Sequence, residues 1–307
     1  MSAPTRTERR ALADLIAPMR VEPGSRVRLS RDHDPGWRPD IDRDRSAQLL
    51  CRGVEHLEHY QARLAAQDTW ALLVVLQAMD AAGKDSTIRH VMSGVNPQGV
   101  TVHSFKQPSH EELDHDYLWR YARRLPARGQ IGIFNRSHYE EVLVVRVHRE
   151  LLEREQLPAA ASRGGVWKRR YRQINDWERY LSENGVRIVK LFLNLSRDEQ
   201  RQRFLKRIDQ PSKNWKFSPA DVAERRHWDD YQRAYSDMLS HTSTEWAPWY
   251  VLPADHKWVT RLAASAAIVQ ALIDLDPRYP VLEGEQLQVL EDARVKLEAE
   301  APKPPSL

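Results

Sequence analysis

Cysteine is almost absent from the 307-residue chain. Cys51 stands alone, which excludes an internal disulfide framework and a multi-cysteine metal site and fits a reducing cytosol. Long apolar runs are lacking as well. The longest strongly apolar stretches, residues 71–76 and 262–273, fall short of the roughly 20 residues that a membrane span needs, so no membrane partner is expected. The first twenty residues (MSAPTRTERRALADLIAPMR) scatter charge and have no apolar core of the secretory type. Nothing there suggests export, and a cytoplasmic location is expected. No internal repeat is visible. What is present is an ordinary globular composition, 41% hydrophobic and 29% charged, in a chain long enough for one large α/β domain with extensions.

Charge is unevenly spread within a formal net of only +4. Residues 120–216 carry 23 Lys/Arg against 11 Asp/Glu, leaving 24 against 32 elsewhere. A central surplus of this kind implies a polyanion or phosphate-rich partner. Solvated, arginine-rich helix faces would give the same count.

Along the chain, residues 1–45 are rich in Pro, Arg and Asp and read as an irregular arm. Leu50, Val54, Leu57 and Leu64 then set a helical stripe over 47–66. ALLVVLQ (71–77) is a continuous apolar run of the kind expected for a strand covered on both faces. Residues 100–105, 131–135, 187–195 and 249–254 repeat the strand pattern with helical stretches between. Ser109 with Glu112 and Ser196 with Glu199 match capping boxes, and Ser218 precedes a proline suited to a first helical turn. The alternation predicts a three-layer α/β/α fold with a five-stranded parallel sheet. A last helix is expected near 287–298, with the tail ending in APKPPSL fraying. The expected division is an arm (1–45), a phosphotransferase domain (46–276) with a helical lid at about 205–235, and a C-terminal helix and tail (277–307).

The first strand runs into AMDAAGKDST and then a helix. A strand–loop–helix of this type aims backbone N–H groups and a positive helix end at one spot, where phosphate oxygens satisfy them. Ala81, Ala82, Gly83, Lys84, Asp85 and Ser86 are the candidate phosphate cradle. The full GxxxxGK[ST] pattern is not met, because Ala78 stands at the first glycine position and Asp85 separates Lys84 from Ser86. A tight turn with an exposed lysine is the bland alternative. A carboxylate inside such a cradle repels phosphate unless a cation lies between, so Asp80 is a candidate magnesium ligand, or else a turn residue. Asp85 suits the first helical turn, where its charge complements the dipole.

The third strand, IGIFN, ends at the carboxyl edge where open α/β sheets bind ligands, and Arg136 follows it. Its planar fork suits a transferring phosphoryl group; the alternative is a salt bridge to Glu140 or Glu141. His138 reads as structural or exposed. Arg203, Lys206, Arg207, Lys213 and Lys216 surround a proline-marked helix end, as in the lids of small kinases, or else form an exposed basic face. Arg120, Arg123 and Arg124 share one helical face by spacing. Trp215 and Trp228 either stack on a base or pack.

Taken together, LQAMDAAGKDSTI, HVMSGVNPQGV, SFKQPS, ELDHDYLWR, GIFNRSHYEEVLVVRVH, KNWKFS, HWDDY and TSTEWAPWYVLPADHKW resemble the polyphosphate kinase 2 family, within the thymidylate-kinase-like P-loop enzymes. The resemblance covers roughly residues 70–269. It implies that polyphosphate lies in a basic channel and that its terminal phosphoryl passes directly to AMP or ADP across Mg2+, with no phosphoenzyme. Carried over, Asp80 would hold the metal, Lys84 and Ser86 would grip phosphates, and Arg136 would stabilise the transferring group. Lys106, Arg146, Arg203 and Arg207 match basic channel positions, and Lys213 and Lys216 fall in the lid. Some members have aspartate where Asn135 stands, so a second metal carboxylate is in doubt and a monophosphate acceptor is plausible. The resemblance also implies a homo-oligomer, a dimer or tetramer.

Two rival readings follow from the same residues. An ATP-dependent small-molecule or nucleotide kinase would use the same loop, although it needs fewer cations. A non-enzymatic nucleic-acid-binding protein would use the basic surplus, but no recognised binding motif supports it, and no nucleic-acid partner is expected.

Overall fold

The computed structural model describes residues 4–162, 164–215 and 217–300. The expected fraying of the last seven residues lies outside the described residues. In chain order the principal elements are α1 (Arg6–Ile16), α2 (Arg43–Gln67), β1 (Ala71–Ala78), α3 (Lys84–Val91), β2 (Val100–Ser104), β3 (Ile131–Asn135), α4 (Val166–Glu183), β4 (Val186–Asn194), α5 (Arg197–Asp209), α6 (Trp228–Thr242), β5 (Trp249–Pro253), α7 (Lys257–Leu275) and α8 (Glu285–Ala299).

The five strands form one sheet in the order β2-β3-β1-β4-β5, and every neighbouring pair is parallel. β1 is buried along its whole length because helices cover both faces, the condition under which a strand reads as an unbroken apolar run. Leu72, Val74 and Leu76 point to the side filled by α2 and α7, with Leu57, Tyr60, Ala263 and Leu272. Leu73 and Val75 point to the side filled by α4 and α6, with Ile174, Tyr235 and Met238. On composition and length α7 could cross a membrane, yet it packs between the sheet and α1 and α2. Gly53 allows that approach: a Cβ there would lie 2.3 Å from Ser265 Oγ.

The strand readings hold to within a residue at each end. The caps hold less uniformly. Ser109 and Glu112 form a reciprocal box, and Ser218 accepts from the Ala220 amide with Pro219 in the first turn. Ser196 caps the Glu199 amide, but the Glu199 carboxylate turns to Arg203 Nε at 2.7 Å instead of back to the cap.

The arm is the main departure from expectation. Thr5 and Glu8 form a reciprocal capping box that starts α1, and Ile16, Met19, Val21, Val27 and Leu29 are core residues. The Val21 amide donates to the Trp249 carbonyl at 2.9 Å, and Arg20 bridges Tyr250 in antiparallel fashion, so the arm lines the β5 edge. The arginines between its apolar positions masked the periodicity. At the other end α8 forms as expected, with its residues exposed.

Leu29 is 1% exposed. Leu29→Ala is expected to cost about 2–5 kcal/mol and to lower the thermal midpoint; a change within about ±0.5 kcal/mol would mean that the arm is not part of the core.

Candidate active site

Sheet order places the site. From β1 the chain moves out to β2, whereas after β3 it crosses to β4 on the far side of β1, so the turns after β1 and β3 flank a switch point, where α/β sheets bind ligands. Leu76 of β1 is in register with Asn135 of β3, and the next amide, that of Arg136, donates to the Leu76 carbonyl at 3.1 Å. Asp80 and Arg136 are thereby brought face to face: Arg136 Nη2 donates to Asp80 Oδ1 at 3.0 Å, and Nη1 lies 3.8 Å from Glu140. Both readings of Arg136 meet here, a loop-facing guanidinium and a salt bridge to Glu140.

The loop is built as a cradle. Gly83 (φ +106) caps α3 with no side chain on the first-turn amides, so these N–H groups and the positive helix end face one point. Ala81 also takes a positive φ, 65°, and so does Arg136, at 64°. Non-glycine residues held there cost of order 1–3 kcal/mol each, and such strain concentrates at functional sites. Lys84 Nζ donates to the Ala78 carbonyl at 2.9 Å, arching across the loop at the position where the usual motif has its first glycine. Burial lowers the Lys84 pKa; Asp80 opposes the shift and Arg136 reinforces it. Burial raises the pKa of Glu140 against the pull of Arg136 and Lys84. Ser86 Oγ donates to the Gly83 carbonyl. Asp85 lies in the first turn of α3 as expected and accepts at 2.8 Å from Asn135 Nδ2, whose amide also reaches Ser104 Oγ.

Two hollows meet at Arg136. A narrow cleft of about 50 Å³ is lined by Asp80, Arg136 and Glu140, by Tyr231 and Tyr235 of α6, and by Asp221, Glu224 and Arg225. A wider one of about 410 Å³ shares Arg136, Glu140 and Val144 and continues past Phe105, Pro108, Leu113 and Tyr121 to Lys106, Arg120 and Arg154. The first is charged; the second is more apolar, with Lys106, Arg120 and Arg154 but also Glu140, Glu141 and Glu155 among its lining residues.

Several expected phosphate ligands are placed otherwise. Arg203 has all five N–H donors engaged: Nε with Glu199, Nη1 with the Ala81 and Ala82 carbonyls, and Nη2 with the Ala254 and Asp255 carbonyls. No donor is left for a phosphate, so Arg203 braces the loop against the end of β5. Arg146 bonds Asp237 and Tyr171 and lines a different groove, beside Val27 and Ser240; the structure does not bring it to the loop. Arg207 pairs with Asp221 at 3.4 Å, and Lys213 is exposed on the single turn Pro211–Asn214. Lys216 lies outside the described residues. The last part of the span expected as a lid, from Trp228 onward, belongs to α6 and is core, with Trp228 9% exposed and Tyr235 3%; Trp228 packs, whereas Trp215 is exposed. His138 is buried, as its structural reading required. Arg120 sits on a single turn, Trp119–Ala122, and Arg123 is its C-cap, so no long helix carries the expected arginine face.

Other residues were not foreseen. Gln200, 2% exposed, donates to the Asp80 carbonyl at 3.0 Å and accepts from Arg225 at 2.6 Å, tying the loop to the segment before α6. No sequence signal marks a glutamine among the charges of α5. Lys257 stands near Arg203, Lys213, Lys206 and Arg261, which with burial lower its pKa, and Arg261 in turn feels Arg89. Lys257 follows β5 at the sheet's carboxyl edge, a position that could have marked it.

The profile of the Polyphosphate kinase 2 (PPK2) family matches residues 40–279. An "ADP-polyphosphate phosphotransferase" of Rhodopseudomonas palustris is 51% identical over 267 residues, 85% of this chain and 91% of that protein. An "AMP/ADP-polyphosphate phosphotransferase" of Meiothermus ruber is 46% identical over 263 residues, covering 85% and 94%. The crystal structure of Polyphosphate Kinase 2 from Arthrobacter aurescens TC1 superposes with a TM-score of 0.79 at 41% identity, covering 89% of this chain and 95% of that one.

Arg203→Met is expected to lower the melting temperature by several degrees, since it strands buried loop carbonyls at roughly 1–3 kcal/mol each. An unchanged melting temperature, with loss only of the salt dependence of phosphate-chain binding, would return Arg203 to the role of a ligand.

Proposed function

The chain belongs to the polyphosphate kinase 2 family, and from that premise we propose that it moves the terminal phosphoryl of inorganic polyphosphate directly and reversibly onto AMP, ADP or both, at the meeting point of the two hollows. The convergence of Asp80, Lys84 and Arg136 between them carries this reading. The phosphate chain lies over the loop, on the first-turn amides of α3 and on Lys84, which keeps two ammonium N–H groups beyond its bond to Ala78. Lys257, Lys206, Lys213, Arg261 and Arg89 form the track along which the rest of the chain runs; that many cations suit a polyanion and exceed what an ATP donor needs. The nucleotide occupies the wider, more apolar hollow, its phosphates toward Lys106 and Arg136.

Magnesium fits the donor set. Asp80 is partly exposed on the loop, and Glu140, Asp221 and Glu224 line the same cleft, all hard oxygen donors. Among the described residues no three metal-binding side chains are grouped to hold an ion unaided, so Asp80 and the substrates' own phosphates would share it, and the ion would neutralise charge on their oxygens. Asn135, committed to Asp85 and Ser104, is not a second carboxylate. Arg136 bears on the equatorial oxygens of the group in flight, and the acceptor phosphate, already ionised, needs no base. The active form is a cytoplasmic homo-oligomer, dimer or tetramer, which sedimentation would read.

With polyphosphate, Mg2+ and either ADP or AMP, the protein is expected to form the next higher nucleotide. Asp80→Ala and Lys84→Ala are each expected to lower turnover by about 10²–10³-fold with unchanged melting temperature. Near-normal rates in both variants, or transfer from ATP alone to another acceptor, would overturn the reading. Because the reactive form of Lys84 is the cation and its pKa is lowered, the alkaline limb of the rate profile should fall below the ordinary lysine value of 10.5; a limb at or above it would remove Lys84 from the step.

A further inference from the structure

Behind the Arg136 turn lies an ion pair that the reaction does not touch. Lys190 of β4 and Glu178 of α4 are both 0% exposed. Lys190 Nζ makes three hydrogen bonds, to Glu178 Oε2 at 2.6 Å, the Thr242 carbonyl at 2.6 Å and Tyr139 Oη at 2.8 Å, which uses all its protons. Glu178 Oε1 accepts from Tyr139 Oη at 2.7 Å and lies 3.2 Å from His138 Nε2. Burial pushes the Lys190 ammonium pKa down against the pull of Glu178 and would raise that of Glu178, which Lys190 and His138 hold below the usual carboxylate range; the three acceptors around Nζ fix the pair's geometry. An apolar pair of similar volume would often hold such a site as stably, and a buried ion pair is therefore weak support for stability as such. What this one does have is directional hold on two residues.

Those two residues, His138 and Tyr139, lie two and three positions beyond Arg136. Arg136 itself is fastened by its amide to the Leu76 carbonyl, and between it and the clamped pair Ser137 Oγ accepts from Gln77 Nε2 at 3.0 Å. A left-handed arginine persists only where its surroundings over-determine it, and the ion pair supplies the distal half of that restraint. We propose that Glu178 and Lys190 are positioning residues, a buried carboxylate–ammonium clamp on His138 and Tyr139 that keeps Arg136 left-handed and turned toward Asp80. The inference rests on the reading of Arg136 as the group that stabilises the transferring phosphoryl.

The test is a double-mutant cycle on the full chain with polyphosphate and ADP: wild type, Arg136→Ala, Glu178→Gln and the double variant, each with its melting temperature. Glu178→Gln is expected to lower kcat by about tenfold or more while both KM values stay within about threefold, the pattern of an interaction realised in the transition state. In the Arg136→Ala background the same change should cost less than about twofold, because residues acting through one group are not additive. If Glu178→Gln fails to fold, Tyr139→Phe removes the same link and carries the same expectation. Wild-type kcat in the clamp variant beside a crippled Arg136→Ala, or an equal loss in both backgrounds, would sink this inference alone. A wild-type rate in Arg136→Ala would sink the role of Arg136 and the clamp with it.

Discussion

The parallel pairing of β1 with β3 is the constraint on which the rest depends. Because Leu76 sits opposite Asn135, the ladder between these two strands ends at the bond from the Arg136 amide to the Leu76 carbonyl; β3 stops there, while β1 runs on through Gln77 and Ala78 paired with β4. β1 leaves through Asp80 and the cradle, and β3 through Arg136. A slip of one residue would turn every side chain of a strand to the opposite face; in β3 it would put a branched isoleucine where Gly132 stands, a position at which even a Cβ would lie 2.9 Å from Pro126. The burial of Ile131, Ile133 and Phe134 is what forbids that slip, so core packing fixes the distance between a carboxylate and a guanidinium at the surface.

Electrostatics then sorts the basic surplus into two populations. One is consumed by the fold: Arg203 by loop carbonyls, Arg146 by Asp237 and Tyr171, Arg170 by Glu155 and the Tyr117 ring, and Lys190 by Glu178. Arginine suits this work because its planar fork meets several carbonyls at once. The other population, Lys206 and Lys213, is exposed, as is Lys257 outside the surplus segment. The charge count agrees with a polyanion substrate, and it does not separate the cations that the fold engages from those it leaves exposed.

The cradle shows how backbone and side chains divide the labour. Gly83 supplies a conformation that a Cβ would strain, and the uncapped amides of α3 supply donors. Gln200 and Arg203, both from α5, hold the Asp80, Ala81 and Ala82 carbonyls from behind. The loop's carbonyls are thus directed toward α5 and its amides toward the ligand side, a polarity that a flexible turn would not keep.

Much of this was legible in the order of residues. The run ALLVVLQ, the AGKDS turn and the return to a 3.6-residue period identify strand, cradle and helix without any partner in view, because strand burial, glycine torsions and amphipathic stripes are properties of a few neighbouring residues. The five strands were readable for the same reason, and the stretches around Asp80, Lys84 and Arg136 by their resemblance to the family. What was not readable is who bonds whom across the fold. Arg203 reaches Ala81 over 122 positions, and Gln200 reaches Asp80 over 120. Neither these partners nor those of Arg146 leave a periodic trace, and the arm's place along β5 depends on the β5 edge being present. The sequence by itself determined which segments become strands and helices and where the loop after β1 turns, since those choices are made by local sterics and hydrophobic spacing. Tertiary structure alone decided which cations face the cleft and which brace it, because a hydrogen bond depends on distances that only the folded chain sets.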